Sequence, residues 1–172
     1  MEPDESLLRI SGIAALYGSQ GLSRLMDSHV CVIGAGGVGS WVAEALARSA
    51  IGSITLIDMD HVSLSNINRQ LVALDSTRGM AKVRVLAGRI GDINPHASVH
   101  TIDDFVTHQR HAELLDRQYD MVVDCIDNYR DKAAIIAWCR RQRVPVITIG
   151  GTGGKTDPTR LRLLDLSRTE MD

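Results

Sequence analysis

Four groups of glycine or polar residues in this chain have types and spacings that could bind and activate a ligand. The segment Gly34-Ala-Gly-Gly-Val-Gly39 directly follows the apolar run 30–33. The other groups are Asp58, the polar segment 65–70, and Asp127 with Asn128, each at or soon after the end of an apolar run. Because the carboxyl ends of parallel strands meet at one edge of an open sheet, we expect these groups to lie together there.

The glycine-rich segment predicts a loop that holds phosphate. Gly34 permits a tight turn, Gly36 lets the backbone approach a phosphate, and Gly39 lets a helix pack against the strand. A helix that begins near Gly37 would point its unpaired N–H groups and its positive dipole end at the loop. Asp58 lies about 20 residues beyond the glycines, where an acid commonly bonds a ribose hydroxyl. The pattern predicts nucleotide binding and leaves NAD, FAD and ATP open; the plainer alternative is that the glycines only permit strand–helix packing.

The remaining polar residues favour a triphosphate over a redox cofactor. The segment Ser65-Asn-Ile-Asn-Arg-Gln70 is dense in hydrogen-bonding groups, and Lys82, near the start of a predicted helix, can reach the same edge. An adenylating enzyme needs cations to neutralise a triphosphate and a carboxylate such as Asp127 to hold Mg²⁺, whereas a dehydrogenase has little use for them. The alternatives are a capped surface turn for the segment, an exposed helix lysine for Lys82, and a helix N-cap for Asp127.

Apolar periodicity predicts the elements that must position these groups. Strands are predicted after the N-terminal region at about 30–33, 53–57, 97–102, 119–126, 144–149 and 159–166. Helices are predicted at about 6–26 (one or two short ones), 41–50, 79–94, 107–117 and 130–143. This alternation predicts an α/β fold with a Rossmann-like, doubly wound, mostly parallel sheet and helices on both faces.

Composition excludes several classes of protein. The net charge of −2 and the 3% aromatic content give no signature of a nucleic-acid-binding surface or of stacking platforms for single strands. No apolar stretch is long enough to span a membrane, and the acidic N-terminus is wrong for a signal peptide, so we expect no membrane contact in this segment. Cys31, Cys125 and Cys139 form no Cys-x-x-Cys pair, which favours a reducing compartment, the cytoplasm, and argues against a zinc site.

Taken together, the motifs resemble those of the ubiquitin-activating-type (ThiF/MoeB/HesA) adenylyltransferases, and the resemblance covers nearly all 172 residues. Five further stretches are similar to the branch of that family that dehydrates threonylcarbamoyladenosine in tRNA. They are Ala15-Leu-Tyr-Gly18, Gly37-Val-Gly-Ser-Trp41, Ala43-Glu-Ala-Leu-Ala-Arg48, Asp103-Asp-Phe-Val-Thr107 and Gly150-Gly-Thr-Gly-Gly154.

The resemblance implies ATP-dependent activation of a carboxylate, which attacks the α-phosphorus to give an acyl adenylate and pyrophosphate. It implies that Asp58 holds the ribose, that Asp127 binds Mg²⁺, and that Arg69, Lys82 and Asp127 are the catalytic residues. Asp60 is expected to help place the metal or the loop. The complete implied nucleotide site is Gly34, Gly36, Gly37, Gly39, Asp58, Asp60, Asn66, Asn68, Arg69, Gln70, Lys82, Asp127 and Asn128.

The family leaves the substrate open. In the dehydratase branch, the carboxylate belongs to the threonylcarbamoyl group of a modified tRNA, and its activation leads to cyclisation with loss of water. In other branches it is the C-terminal glycine of a ubiquitin-like sulfur-carrier protein. A nucleotide-binding or dimerisation module without turnover is a third interpretation. The implied partners are therefore modified tRNA, a carrier or sulfur-transfer protein, and a second copy in a homodimer.

Two departures from the family pattern qualify these expectations. Family dimers place an N-terminal arginine in the partner's ATP site, but Gly12 stands at that position here, with Arg9 nearby. The cysteine associated with the chemistry lies beyond residue 172 in relatives, and we interpret the three cysteines present as small core residues. We expect residues 1–172 to form an ATP-binding adenylation domain that lacks the C-terminal part of the family fold, so that it could be inactive alone.

Overall fold

A single parallel sheet organises the computed structural model, which describes residues 5–115, 117–151 and 153–169. The strands are β1 (His29–Ile33), β2 (Ser53–Ile57), β3 (Ser98–Ile102), β4 (Met121–Asp124) and β5 (Val146–Thr148), in the order β3-β2-β1-β4-β5. The helices are α1 (Glu5–Asp27), α2 (Gly39–Arg48), α3 (Lys82–Ile93), α4 (His111–Leu114) and α5 (Tyr129–Gln142). The predicted α/β class is confirmed.

The strand order creates a crevice at the carboxyl edge of the sheet. From β1 the chain passes through α2 to β2 on one side, while β4 pairs with β1 on the other side. The loop that leaves β1 and the loop that leaves β4 therefore lead to opposite sides of the sheet, and a crevice lies between them. Open α/β sheets bind ligands at this position, where the strand order reverses. Among the described residues, no helix has the length and apolarity needed to cross a membrane.

Alternation along the strands divides the core between the two faces of the sheet. On β1, Val30 and Val32 belong to the cluster that contains residues of α2 and α3, whereas Cys31 and Ile33 belong to the cluster that contains residues of α5. All four of these residues are buried, which explains the continuous apolar run of β1. Helices consequently cover both faces, and β1 lies at the centre of the molecule.

The N-terminal helical region has an internal break that the sequence indicated. Gly18 has φ 71° and ψ 173°, so α1 consists of two helical pieces joined at this glycine. A positive φ favours glycine, because other residues are strained there. The prediction of one or two short helices over residues 6–26 is therefore borne out by the structure.

Two predicted elements differ from the structure. The predicted helix 107–117 is reduced to the four residues of α4, His111–Leu114. Among its described residues, only Leu114 and Leu115 pack into the core, and Asp116 lies outside the described residues. The predicted strand 159–166 is wrong, since its described residues form 3-10 turns at Pro158–Arg160 and Leu166–Arg168 with exposed leucines between them. The alternation of apolar and polar residues indicates that one face of a segment could be buried. It does not show whether a neighbouring strand is present for the segment to pair with.

An ion-pair clamp joins α2 to α3. The carboxylate of Glu44, whose side chain is 10% exposed, accepts hydrogen bonds from Arg48 in the same helix and from Arg89 in α3. The bond from Arg89, and then that from Arg48, outweigh the effect of burial and hold the pKa of Glu44 below its usual value. Glu44 thus contributes to the packing of the helices that cover the β1–β2 face.

We expect Glu44→Gln to lower the free energy of unfolding by about 1.5–3 kcal/mol at neutral pH, because hydrogen bonds to a charged group are lost. The folded pKa is lowered, so this contribution is present above the ordinary value of 4.5 and is lost as the pH falls through the folded pKa. Urea unfolding of both proteins over this pH range measures the difference. Glu113→Gln, which breaks an exposed pair with Arg110, is the control and should change little. A difference that persists unchanged in acid would contradict the assignment.

Candidate functional site

The glycine loop brings the start of α2 directly against the end of β1. A Cβ on Gly39 would lie 1.7 Å from the carbonyl oxygen of Gly34, so no side chain fits at position 39. Gly34 itself has φ 89° and lies against the Cys125 backbone, where a Cβ would be 3.2 Å from the carbonyl oxygen. These two glycines have the turn and packing roles that the sequence predicts for them.

The loop also presents backbone donors. In the described part of the chain, the N–H groups of Gly36, Gly37 and Val38 donate no hydrogen bond, and no side chain caps the helix at Val38. A helix of ten residues begins directly after them. Free N–H groups combined with the positive end of a helix dipole form a binding site for an anion such as phosphate.

Asp58 connects the glycine loop to the end of β2. Its Oδ2 accepts a hydrogen bond of 2.5 Å from the N–H of Ala35, and its Oδ1 accepts one of 2.7 Å from the N–H of Asp60. The residue is buried. The predicted ribose-binding acid therefore lies at the predicted edge, and it also fixes the shape of the loop, with one lone pair on each oxygen still available.

The segment 65–70 packs over the glycine loop. A Cβ on Gly37 would lie 3.4 Å from Cγ of Arg69, so the arginine side chain passes directly above this glycine. The Trp41 indole N–H of α2 donates to the carbonyl oxygen of Arg69 at 3.1 Å. Nη1 of Arg69 donates to the carbonyl of Ser65 and to Oδ1 of Asn68, which leaves Nη2 and Nε without a partner among the described residues.

Two side chains of this segment are buried. Asn66 accepts a hydrogen bond from the N–H of Ser63 in a capping box, so the alternative of a capped turn is also correct for this residue. Gln70 lies beside Gly36, and its Oε1 is buried without a partner in the described part of the molecule. A buried amide oxygen without a partner is costly, which indicates that a ligand or water completes this site.

Lys82 is paired and buried at the same edge. Its Nζ donates to Oδ2 of Asp60 at 2.8 Å, and the lysine side chain is only 5% exposed whereas that of Asp60 is 55% exposed. The alternative of an exposed helix lysine is therefore wrong. One of the three ammonium protons has a partner among the described residues, so two can be donated to a ligand.

Asp127 and Asn128 end the turn between β4 and α5. Oδ1 of Asn128 accepts hydrogen bonds from the N–H groups of Arg130 and Asp131, so Asn128 is the N-cap of α5 and the N-cap alternative for Asp127 is wrong. Asp127 is exposed, and within the described ranges its carboxylate makes no hydrogen bond. That carboxylate is available to a ligand, whereas the oxygen of Asn128 is already used.

A second buried lysine–aspartate pair was missed by sequence reasoning. Asp124, the last residue of β4, is fully buried and contacts Lys132 of α5 at 2.7 Å and the hydroxyl of Thr148 at 2.7 Å. The available signal was an acid inside an otherwise apolar run, followed by a lysine in the next predicted helix. Nothing in the spacing alone identified the two as partners.

Arg9 lies at the opposite edge of the sheet within its own chain. Its Nη1 donates to the carbonyl oxygens of Asp92 and Ile93 at 2.9 and 3.4 Å, where α3 ends. A cation at a helix C-terminus binds unpaired carbonyls and the negative dipole end. In this chain Arg9 therefore caps α3, and its suggested place in a partner's ATP site stays a prediction.

The described residues suit a triphosphate with a metal ion that is bound chiefly by phosphate oxygens. Open N–H groups of the glycine loop, two protons of Lys82 and the free edge of Arg69 are donors that phosphate oxygens can accept. Within these ranges no group of three or more metal-binding side chains occurs, and Asp127 is a single free carboxylate. Mg²⁺ characteristically takes one or two carboxylates together with substrate phosphates.

These features define a nucleotide-binding α/β protein whose phosphate site is the N-terminus of the helix after the first strand. The chain belongs to the ThiF family, whose model matches residues 10–167, and this confirms the family that the motifs predicted.

Named relatives agree with this assignment. The chain is 52% identical over 164 residues to the tRNA threonylcarbamoyladenosine dehydratase of Haemophilus influenzae, covering 95% of this chain and 63% of that protein. It is 33% identical over 147 residues to the molybdopterin-synthase adenylyltransferase of Escherichia coli, covering 84% and 59%. The crystal structure of the E. coli dehydratase in complex with ATP has a TM-score of 0.95 at 49% identity, covering 99% of this chain and 70% of that one. The chain thus spans about three fifths of the length of these curated relatives.

The cysteines lie in or beside the core and are poor nucleophiles. Cys31 and Cys139 are fully buried, and Cys125 is partly buried beside Gly39. Burial raises the pKa of Cys125 to about 12 and that of Cys139 to about 11, and it raises the pKa of Cys31 still further. The thiolate is the reactive form of cysteine, so none of these residues is suited to nucleophilic catalysis.

We expect none of the three thiols to react with iodoacetamide at about pH 8 in the folded protein, because each is held protonated. Mass spectrometry of the alkylated protein measures this, and the same treatment in guanidinium chloride should modify all three and provides the control. Rapid modification of Cys125 in the folded state would show that the residue is more accessible and more acidic than the structure indicates.

Proposed function

We propose that residues 1–172 form the ATP-binding adenylation domain of an enzyme that activates the threonylcarbamoyl carboxylate of a modified tRNA for cyclisation. The observation that carries this proposal is the set of open backbone donors at Gly36, Gly37 and Val38, with Arg69 directly above Gly37. Two supports are the 52% identity to a protein named tRNA threonylcarbamoyladenosine dehydratase and the fold shared with an ATP complex of such a protein. ATP supplies the α-phosphorus that the carboxylate attacks, with pyrophosphate as the leaving group.

The residues around the glycine loop each bind a different part of ATP in this proposal. The N–H groups of Gly36 to Val38 bind phosphate oxygens, and Asp58 accepts a hydrogen bond from a ribose hydroxyl with its remaining lone pairs. Arg69 and Lys82 donate to phosphate oxygens and stabilise the charge that develops there during attack. Asn66 and Asn68 hold the arginine segment through the N–H of Ser63 and the guanidinium of Arg69, and Gln70 lies beside Gly36.

The acidic residues have separate tasks. Asp127 would hold Mg²⁺, which neutralises phosphate charge when it is bound. Asp60 keeps the ammonium group of Lys82 in place at 2.8 Å. Asn128 caps α5 and thereby fixes the turn that carries Asp127. Gly34 and Gly39 shape the loop itself.

A second candidate is adenylation of the C-terminal glycine of a ubiquitin-like sulfur carrier. It is favoured by the 33% identity to a molybdopterin-synthase adenylyltransferase. The higher identity to the dehydratases is why we rank tRNA first. From the family resemblance we also infer that the protein forms a homodimer, and from its three free cysteines that it works in the reducing cytoplasm.

We expect the chain to bind ATP in preference to NAD when Mg²⁺ is present, and we expect Lys82→Met to weaken ATP binding. Losing a charged hydrogen bond of about 1.5–3 kcal/mol corresponds to a dissociation constant raised roughly tenfold to a hundredfold. Titration calorimetry measures both effects. Arg141→Met, which removes an exposed cation from the far end of α5, is the control and should bind ATP normally. Tight binding of NAD without binding of ATP would overturn the proposed function.

The substrate is tested by ATP–pyrophosphate exchange on the full-length protein. We expect exchange that depends on tRNA carrying threonylcarbamoyladenosine, does not occur with unmodified tRNA, and is abolished by Asp127→Ala while thermal stability is retained. Exchange that responds only to a ubiquitin-like carrier protein would favour the second candidate. ATP binding without exchange on any substrate would instead identify a nucleotide-binding module without turnover.

A further inference from the structure

A buried polar cluster lies beneath the β4–β5 side of the candidate site. Asp124 of β4, Lys132 of α5 and Thr148 of β5 meet there, and the lysine side chain is 16% exposed while that of Asp124 is fully buried. Lys132 donates to Oδ2 of Asp124 at 2.7 Å, to the hydroxyl of Thr148 at 3.1 Å and to the carbonyl of Ile149 at 3.1 Å. The Thr148 hydroxyl donates in turn to Oδ2 of Asp124.

This cluster cannot bind a ligand directly, because its donors are used. An ammonium group has three protons, and the three partners of Lys132 account for all of them. Lys82 on the other side of the site differs, since Asp60 is its one partner among the described residues. The Asp124–Lys132 pair therefore has a structural role, in which it joins α5 to the ends of β4 and β5.

The parts that it holds are the two loops at this end of the site. Oδ1 of Asp124 accepts a hydrogen bond from the N–H of Ile126, directly before Asp127. Directly after Asp127, Asn128 caps α5, and its carbonyl accepts the backbone N–H of Lys132 at 2.9 Å. Asp127 thus lies between Ile126, whose N–H is bonded to the carboxylate of Asp124, and Asn128, whose carbonyl is bonded to the backbone of Lys132.

The second loop is the glycine-rich segment 150–154, whose Thr152 lies outside the described residues. It begins directly after Ile149, whose carbonyl is bonded to Lys132 and whose N–H is bonded to the carbonyl of Asp124. One ion pair therefore sets the position of the turn that carries Asp127 relative to the start of this loop.

Stability alone does not explain such a pair. Removing two charges from water costs several kcal/mol per ion, and apolar residues of similar volume commonly replace a buried ion pair without loss of stability. What an apolar pair could not reproduce is the set of directed hydrogen bonds to Ile126, Thr148 and Ile149.

We propose that Asp124 and Lys132 are positioning residues that hold the Asp127 carboxylate where it can bind Mg²⁺ on the nucleotide phosphates. This inference rests on the proposed function, because Asp127 is a metal ligand only in an ATP site. Partners behind a metal ligand commonly affect metal affinity roughly tenfold to a hundredfold. The pair should therefore control the Mg²⁺ requirement and leave the phosphate loop unaffected.

The test is Mg²⁺ titration of ATP binding to Asp124→Leu/Lys132→Met. The double variant removes both charges together, so that no uncompensated buried charge remains, and it removes the side-chain hydrogen bonds to Ile126, Thr148 and Ile149. Trp41 is a suitable fluorescent reporter, since its exposed indole N–H is bonded to the carbonyl of Arg69, whereas Trp138 is buried in the core. Thermal unfolding is measured in parallel, and Arg141→Met on the same helix is the control.

We expect the double variant to unfold close to the wild-type temperature, to bind ATP normally in EDTA, and to need roughly tenfold more Mg²⁺ for half-maximal enhancement of binding. An unchanged Mg²⁺ requirement would overturn the inference and leave the proposed function intact. A large drop in unfolding temperature would also overturn it, by showing that the pair is chiefly stabilising. Failure of the wild-type protein to bind ATP would remove the proposed function itself.

Discussion

The contact between the start of α2 and the end of β1 is the constraint on which the candidate site depends. With 1.7 Å between a Cβ at position 39 and the carbonyl oxygen of Gly34, any side chain would push the helix away from the strand. The free N–H groups of the loop would move with it. Asp58 fixes the same loop from the β2 side through the N–H of Ala35, so the donor array is held by a packing contact and by a buried carboxylate.

A lysine–aspartate pair lies on each side of this loop, and the two pairs have different roles. Asp60 with Lys82 and Asp124 with Lys132 each combine an aspartate at or just beyond a strand end with a lysine in the following helix. The first lysine has two protons unassigned within the described chain, whereas the second has none. A buried ammonium group with spare donors suits a phosphate ligand, and one with saturated donors suits a fixed framework. The two lysines therefore have the same charge but differ in the number of protons that they can still donate.

The sequence predicted the features that depend on local spacing and missed those that depend on packing. The interval between Gly34 and Asp58 follows from one strand–helix–strand unit, so their proximity could be predicted. The pairing of Asp124 with Lys132 depends on how α5 docks on β4, which the apolar pattern does not specify. The incorrect strand at 159–166 has a related cause, because alternation indicates a face that could be buried but not whether a neighbour exists. Asn128, rather than Asp127, is the N-cap because the helical backbone begins directly after position 128, where φ is −71° and ψ is 110°. The residue types alone do not show at which of the two positions the helix begins.

The central place of β1 in the sheet has a consequence for the order in which this molecule can fold. Its first neighbour, β2, follows within the same βαβ unit, whereas Val30 pairs with Met121 of β4 far along the chain. Closing the second contact requires a much longer loop, which makes it entropically costlier and slower to form. The contacts that bring Asp58 to the glycine loop therefore close over a shorter stretch of chain than those that bring Asp127 to it. The glycine loop and the Asp127 side of the crevice are joined only when β4 pairs with β1.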